Sequence, residues 1–106
     1  MPKYLLQVNY TADGAKGLIK DGGSKRRAVA QRSAESLGGR VEAFYFGFGE
    51  TDAWVLADMP DAASAAAIAL TVSASGGATV RTSVLRTRVV VDFAARKSPL
   101  YSPPGA

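Results

Sequence analysis

The sequence predicts a single α+β domain, in which a layer of helices packs on a sheet of antiparallel strands. Three observations support this prediction. The chain has 106 residues, of which 47% are hydrophobic, as expected for one globular domain with one core. Segments in which every second residue is apolar, as in strands, alternate along the chain with segments in which apolar residues recur at helical spacing. Glycine pairs and prolines fall between these segments.

The first third of the chain predicts one strand followed by two helices. Residues 3–10 alternate as a strand, and Thr11 is the predicted N-cap of a weak helix over residues 11–20. Ser24 is the predicted N-cap of a second helix over residues 25–37, which ends at a glycine pair. One face of the strand is wholly apolar and consists of Tyr4, Leu6, Val8 and Tyr10.

A hairpin is predicted at the centre of the chain. Strands over residues 40–48 and 53–59 flank the short segment GETD, which has the composition of a tight turn. Asp52 is expected to bond within its own turn. Gly47 and Gly49 lie near the strand end, where glycine permits a β-bulge or the close approach of a partner or a ligand.

The last third predicts a helix, a strand and an arm. Asp61 is the predicted N-cap of an alanine-rich helix over residues 62–75. A strand over residues 78–88 and a short helical turn complete a domain that is predicted to cover residues 1–95. Residues 96–106 contain three prolines and predict an extended C-terminal arm.

The predicted elements follow the order β-α-β-β-α-β, which is the plan of a ferredoxin-like sandwich. Both faces of its sheet are apolar in the second and third strands, although a two-layer monomer leaves one face polar. Because exposed patches of this kind mark interfaces, we expect a homodimer or a higher homo-oligomer. The alternative is that the C-terminal arm covers the aromatic residues near the hairpin. The residues assigned to the oligomer interface are Leu5, Phe44, Phe46, Trp54, Leu56 and Leu85.

Charge and residue types exclude several classes of function. The net charge of +4 is a weaker bias than nucleic-acid binders show, so no nucleic acid is expected as a partner. Cysteine and histidine are absent, which excludes disulfides and thiolate catalysis and removes the commonest general base. Neither a secretory leader nor a membrane-spanning stretch is recognisable, and the expected location is the cytoplasm. The sequence predicts no cofactor and no metal site.

The segment GGRVEAFYFGFGETDAWVLADMPD, residues 38–61, resembles the GYD-domain family of small bacterial and archaeal proteins, as do YTADGAKGL and YSPPG. The family is named after a Gly-Tyr-Asp signature in the hairpin. Gly49 and Asp52 match this hairpin motif, whereas Thr51 stands at the tyrosine position. The resemblance implies a ferredoxin-like fold of the dimeric α/β-barrel type, and it implies no established activity.

A first candidate ligand site lies in the segment KDGGSKRR. A Gly-Gly turn there leads into a helix N-terminus, where free backbone N–H groups favour a bound anion. The alternative is a solvated basic turn, which is the usual role of such a charge run. The candidate anion-binding residues are Ser24, Lys25, Arg26 and Arg27.

A second candidate site is the set Gln7, Asn9, Tyr45, Asp52, Trp54 and Arg81, of which Asn9, Tyr45 and Trp54 are the candidate ligand residues. Dimeric α/β barrels include cofactor-independent oxygenases with a strand-1 asparagine and a tryptophan near a pocket, so a small enzyme of this kind is the alternative function. It predicts a closed pocket lined by these three residues. The leading hypothesis is a non-enzymatic oligomeric protein that binds a small or anionic ligand or serves as an assembly module.

The alanine-rich helix over residues 62–75 is expected to pack closely on the sheet, because small side chains permit a short distance between the layers. The alternative is a cavity between the helix and the sheet, which would suit a flat apolar ligand. The walls of such a cavity would include Tyr4, Tyr10, Tyr45 and Ile68.

Overall fold

The computed structural model describes all 106 residues as four strands, four helices and their connections. The elements are β1 (Lys3–Tyr10), α1 (Ala12–Asp21), α2 (Gly23–Ser36), β2 (Arg40–Phe46), β3 (Ala53–Asp58), α3 (Ala62–Ala74), β4 (Ala78–Leu85) and α4 (Arg88–Ala95). The strands form one antiparallel sheet in the order β2-β3-β1-β4. The predicted ferredoxin-like α+β fold is therefore confirmed, with small shifts at the ends of elements.

The core lies between the helices and the face of the sheet that carries the even-numbered residues of β1. Tyr4 and Leu6 are buried there and Val8 is half-buried, which confirms the predicted apolar face. Val55 pairs with Leu6 and joins the same cluster, and Met59 after β3 has no exposed surface. Each fully buried side chain of this size contributes about 1.5–3 kcal/mol to folding.

Strand β2 has the opposite phase from the predicted one. Phe44 and Phe46 pair with buried residues of β3, so both face the helices and their predicted place on the other face is wrong. Phe44 packs on the core, and Phe46 lies against Gly23 at the start of α2. The reason is a β-bulge at Glu42, which adds one residue to β2 and puts Val41 and Phe44 on one face.

Two of the three predicted N-caps are confirmed. The side chains of Thr11 and Asp61 accept hydrogen bonds from the first turns of α1 and α3. The prediction for Ser24 is wrong, because α2 already begins at Gly23 and has no side-chain cap. Gly22 has a φ of +82°, a conformation that costs glycine little, and it makes the sharp turn between α1 and α2.

The β2–β3 connection is bonded to β1. The Asp52 carboxylate accepts a hydrogen bond from the backbone N of Tyr10 (2.8 Å), and the backbone N of Asp52 donates to Asn9 Oδ1 (3.0 Å). The expectation that the Asp52 side chain bonds its own turn is therefore wrong. Phe48, between the two glycines, has a φ of +55°, in the left-handed region that few side chains adopt.

After β4 the chain makes few contacts with the other elements. Every residue from 86 to 106 is exposed, and α4 contributes no buried residue. The radius of gyration is 16.8 Å, whereas about 13 Å is expected for a compact domain of this length. We call residues 86–106 the C-terminal extension. None of the four helices has the length and hydrophobicity needed to cross a bilayer.

Candidate functional site

A cavity of about 300 Å³ lies between the helices and the sheet. Helix α2 packs over β2 and α3 packs over β4, both edge strands, so the central strands β3 and β1 lie beneath the gap between the two helices. The helical residues that border this gap include Ala30 and Ala34 of α2 and Ala65 of α3. Their small side chains leave the space open, so the expected close packing of the alanine-rich helix is wrong here.

The cavity wall is mostly apolar, with polar groups at a few places. Of the four predicted wall residues, Tyr10 and Ile68 line the cavity. Tyr4 is buried in the core, and Tyr45 lies on the opposite face of the sheet. Such a wall with a few polar groups is typical of a small-molecule site. The polar residues of the wall are Tyr10, Asp21, Arg26, Ser33 and Ser75.

The polar end of the cavity is formed by Tyr10, Asp21 and Arg26. Nη1 of Arg26 lies 3.7 Å from Oδ2 of Asp21, across the turn between α1 and α2. Burial raises the pKa of Tyr10 above its usual value, and the nearby Arg26 guanidinium acts in the opposite direction. At neutral pH this end therefore presents a phenol beside a permanent cation. Such a pair can hold a carboxylate or another oxyanion.

The four predicted anion-binding residues do not form one site. Arg26 is half-buried and lines the cavity, whereas Ser24, Lys25 and Arg27 are exposed outside it. Nζ of Lys25 lies 3.5 Å from Oδ1 of Asp21. Consecutive residues of a helix point in different directions, so a run of basic residues cannot all reach one ligand. An anion-binding role for the exposed three stays a prediction.

Asn9, Tyr45 and Trp54 lie away from the cavity, on the face of the sheet that the helices do not cover. Trp54 pairs with Tyr45 across β2 and with Gln7 across β1. Asn9 accepts a hydrogen bond from the hairpin, as described above. The cavity is therefore not the closed pocket, lined by these three residues, that the oxygenase alternative requires.

The hairpin motif residues serve to attach the hairpin. Thr51, at the tyrosine position, is only 3% exposed. Its Oγ1 donates to Oε1 of Gln7 (3.1 Å) and accepts from Nη2 of Arg81 (3.1 Å), so it bonds to both β1 and β4. Gly49 has no atom near its Cα on the side where a Cβ would lie. Gln7 and Arg81 belong to the predicted second candidate site, whereas their bonds to Thr51 were not predicted.

A cluster of charges lies at the other end of β1. The Asp58 carboxylate is almost buried and accepts hydrogen bonds from Nζ of Lys3 (2.9 Å) and Nε of Arg40 (2.9 Å). The hydrogen bond from Lys3 is the main reason that the pKa of Asp58 lies below its usual value. Lys3 also bonds Glu42, the bulged residue of β2. No three acidic side chains converge as a metal site would require.

The open face, by which we mean the side of the sheet away from the helices, is apolar at its centre. Leu5 and Leu56 pair there, and Tyr45 and Trp54 are exposed beside them. A Cβ at Gly47 would lie 3.2 Å from Nε1 of Trp54 and 3.2 Å from the carbonyl oxygen of Thr51, so the chain itself closely approaches this glycine. The approach of a partner or a ligand stays a prediction. The apolar residues of the open face are Leu5, Ala43, Tyr45, Trp54, Leu56 and Leu85.

Comparison with known proteins yields one match. The family model described as the GYD domain matches residues 4–93, which is most of the chain. No curated protein and no solved structure matches.

Proposed function

The chain belongs to the GYD domain family, and we propose that it is a homo-oligomeric module that binds a small apolar molecule with one negatively charged group. The observation that carries this proposal is the apolar cavity with Arg26 and Tyr10 at one end. Its volume of about 300 Å³ is at the lower end of the range of small-molecule sites. A cavity of about 150 Å³ holds one benzene, so this one suits a ligand of about two rings.

The polar end of the cavity favours binding over catalysis. Asp21, at 3.7 Å, neutralises the charge of Arg26 only partly. The guanidinium can therefore still pair with an oxyanion of a ligand. Tyr10 keeps its proton at neutral pH, as any phenol does, and burial raises its pKa further. It therefore offers a hydrogen-bond donor and not a base. With no histidine in the chain, the side chain that most often serves as a general base near neutral pH is absent.

We also propose that a second copy of the chain covers the open face. The accessible surface is 7252 Å², whereas about 5,600 Å² is expected for a folded monomer of this mass. Much of the difference of about 1,600 Å² belongs to the exposed residues 86–106. The support for this contact is therefore the apolar open face itself, on which Tyr45 is 70% exposed. Leu56 is half-buried and Trp54 is 39% exposed in the single chain. Covering them therefore contributes only part of the about 1.5–3 kcal/mol that full burial of such a side chain gives.

The ligand proposal is tested with two fluorescent probes that share their two rings, anionic naphthalene-2-sulfonate and neutral 2-methylnaphthalene. Arg26→Gln removes the cation of the cavity, and Arg27→Gln is the matched control because Arg27 is exposed on the same helix. We expect R26Q to bind the sulfonate about 10- to 100-fold more weakly, because a charge-assisted hydrogen bond contributes about 1.5–3 kcal/mol. R27Q and the neutral probe should show no such change.

Ala30→Leu supplies the second arm of this experiment. It adds side-chain volume to the cavity wall and should weaken the binding of both probes. Equal sulfonate binding by R26Q and R27Q would contradict the assignment of the anion to Arg26. Unchanged binding of both probes by A30L would put them outside the cavity and refute the proposed site.

The assembly proposal is tested by light scattering at micromolar concentration. Leu56→Glu places a charge at the centre of the open face and should yield monomers. Ile19→Glu is the control, because Ile19 is 85% exposed on α1, far from that face. A monomeric unmodified chain, or an oligomer that L56E leaves intact, would contradict the assembly proposal.

A further inference from the structure

We propose that the C-terminal extension packs on a second copy of the chain, with α4 as its anchoring element. This inference does not rest on the proposed ligand, and it adds a contact separate from the open face.

Helix α4 is too short to be stable by itself. It has eight residues, whereas isolated helices shorter than about 12–15 residues are marginal in water. Three consecutive valines, Val89 to Val91, lower its helix propensity further. The Thr87 cap, whose Oγ1 lies 3.4 Å from the backbone N of Val90, satisfies one backbone group only. Because its own domain buries none of its residues, the helix needs packing contacts from elsewhere.

The side chains of the extension are suited to such contacts. Arg88, Asp92 and Arg96 lie at i, i+4 and i+8 and form one polar stripe, and the rest of the circumference of α4 is apolar. Phe93 is 59% exposed, and the valines are about half exposed. Leu100, flanked by proline, is fully exposed. A helix that is apolar over most of its circumference is normally buried.

Area favours a second copy as the partner, and charge permits it. The extension carries four basic residues and one acidic residue, whereas residues 1–85 carry nine basic and eight acidic residues and are nearly neutral. Every ion pair of the chain joins residues between Lys3 and Asp58, so the cations of the extension have no carboxylate partner in their own domain. A second copy offers those carboxylates together with apolar surface. The surface in excess of a compact monomer, about 1,600 Å², is enough for two standard contacts per chain.

Hydrogen exchange of the full chain tests this inference. The backbone amides of α4 should exchange slowly at a concentration where the chain is assembled, and at least about tenfold faster after dilution to monomers. Protection that persists in monomers would mean that the extension folds on its own domain, which overturns the proposal. Fast exchange at every concentration would also overturn it, and would leave an acidic macromolecule as the partner to test.

Two variants separate this contact from the open face. Phe93→Asp should raise the dissociation constant of the assembly at least about tenfold, whereas Asp92→Asn, on the polar stripe one residue earlier, should change it little. A chain that ends at residue 86 should behave like F93D, with a circular dichroism spectrum that shows the domain folded. Assembly by F93D as tight as that of D92N would refute the role of α4.

Discussion

Gly14→Ala is expected to destabilise the fold, although the same substitution three residues later, Gly17→Ala, is expected to stabilise it. A Cβ added at Gly14 would lie 1.7 Å from the carbonyl oxygen of Gly77, where ordinary contact begins at 3.4 Å. The two backbones must therefore move apart by about 1.7 Å. They are joined by hydrogen bonds from Thr11 N to Gly77 O (3.0 Å) and from Thr11 Oγ1 to Gly76 O (2.8 Å).

The size of the effect follows from these contacts. Loss of two hydrogen bonds costs about 1 kcal/mol each, and overpacking costs about 1–3 kcal/mol. The better helix propensity of alanine returns up to about 1 kcal/mol, so we expect G14A to lower the free energy of unfolding by about 2–4 kcal/mol. Gly17 has no atom within 4 Å of an added Cβ. At Gly17 only the favourable effect of replacing a helical glycine by alanine remains, and it raises the free energy of unfolding by about 0.5–1 kcal/mol.

The assay is urea and thermal unfolding of both variants at one protein concentration, because the proposed assembly would make stability depend on concentration. The melting temperature should fall by at least about 8 °C in G14A and rise by a few degrees in G17A. A G14A variant as stable as the unmodified chain would refute the close contact between α1 and the α3–β4 turn. Since Gly14 and Gly77 both line the cavity, G14A should also change the binding of the sulfonate probe.

Three further variants test other parts of the structure. Met59→Ala removes the largest fully buried side chain and should cost about 2–5 kcal/mol in urea unfolding; a loss no larger than that of the exposed control Ile19→Ala would contradict the packing. Because the pKa of Asp58 is lowered, its stabilising contribution is present above about pH 4 and is lost as the pH falls through the folded-state pKa. Asp58→Asn should therefore flatten the acid limb of the stability curve, and an unchanged slope would argue against the ion pairs. Arg26→Gln should raise the pKa of Tyr10 still further, because it removes a nearby positive charge. The measurement is ultraviolet titration against a Tyr10→Phe reference, and an unchanged pKa would mean that Arg26 does not lie close to Tyr10.

Local patterns in the sequence were sufficient to predict the helices and strands and the buried face of β1. They were not sufficient to predict which residues of β2 face the helices. In β1 the even positions Leu6 and Val8 are apolar, and the odd positions Gln7 and Asn9 are polar, so the buried face is marked. In β2 the run from Ala43 to Phe46 is apolar throughout, so no polar residue marks the outer face. The bulge at Glu42 reverses which residues of β2 face the helices, and no glycine or other turn residue in the sequence indicates a bulge there.

The candidate site depended on distances that local patterns do not determine. Arg26 was predicted as an anion ligand, but the sequence does not show that it lies beside Tyr10, the last residue of β1. The turn at Gly22 between α1 and α2 brings the two side chains together. Alanines at the helix–sheet boundary are compatible with close packing and with a cavity alike. The placement of α2 and α3 over the two edge strands decides between them, and it is a tertiary property.

Successive side chains of β1 point to opposite faces of the sheet, so neighbouring residues are under different selection during evolution. Leu6, Val8 and Tyr10 line the cavity, while Leu5 and Gln7 between them belong to the open face. If the cavity binds a ligand and the open face binds a second copy, as we propose, substitution at an even position changes ligand preference and leaves the assembly surface unchanged, and the reverse holds at odd positions. Insertion or deletion of one residue in β1 would exchange the two sets, so that both proposed functions fail together. Descendants of this chain are thus expected to diverge in β1 by substitution, at constant length.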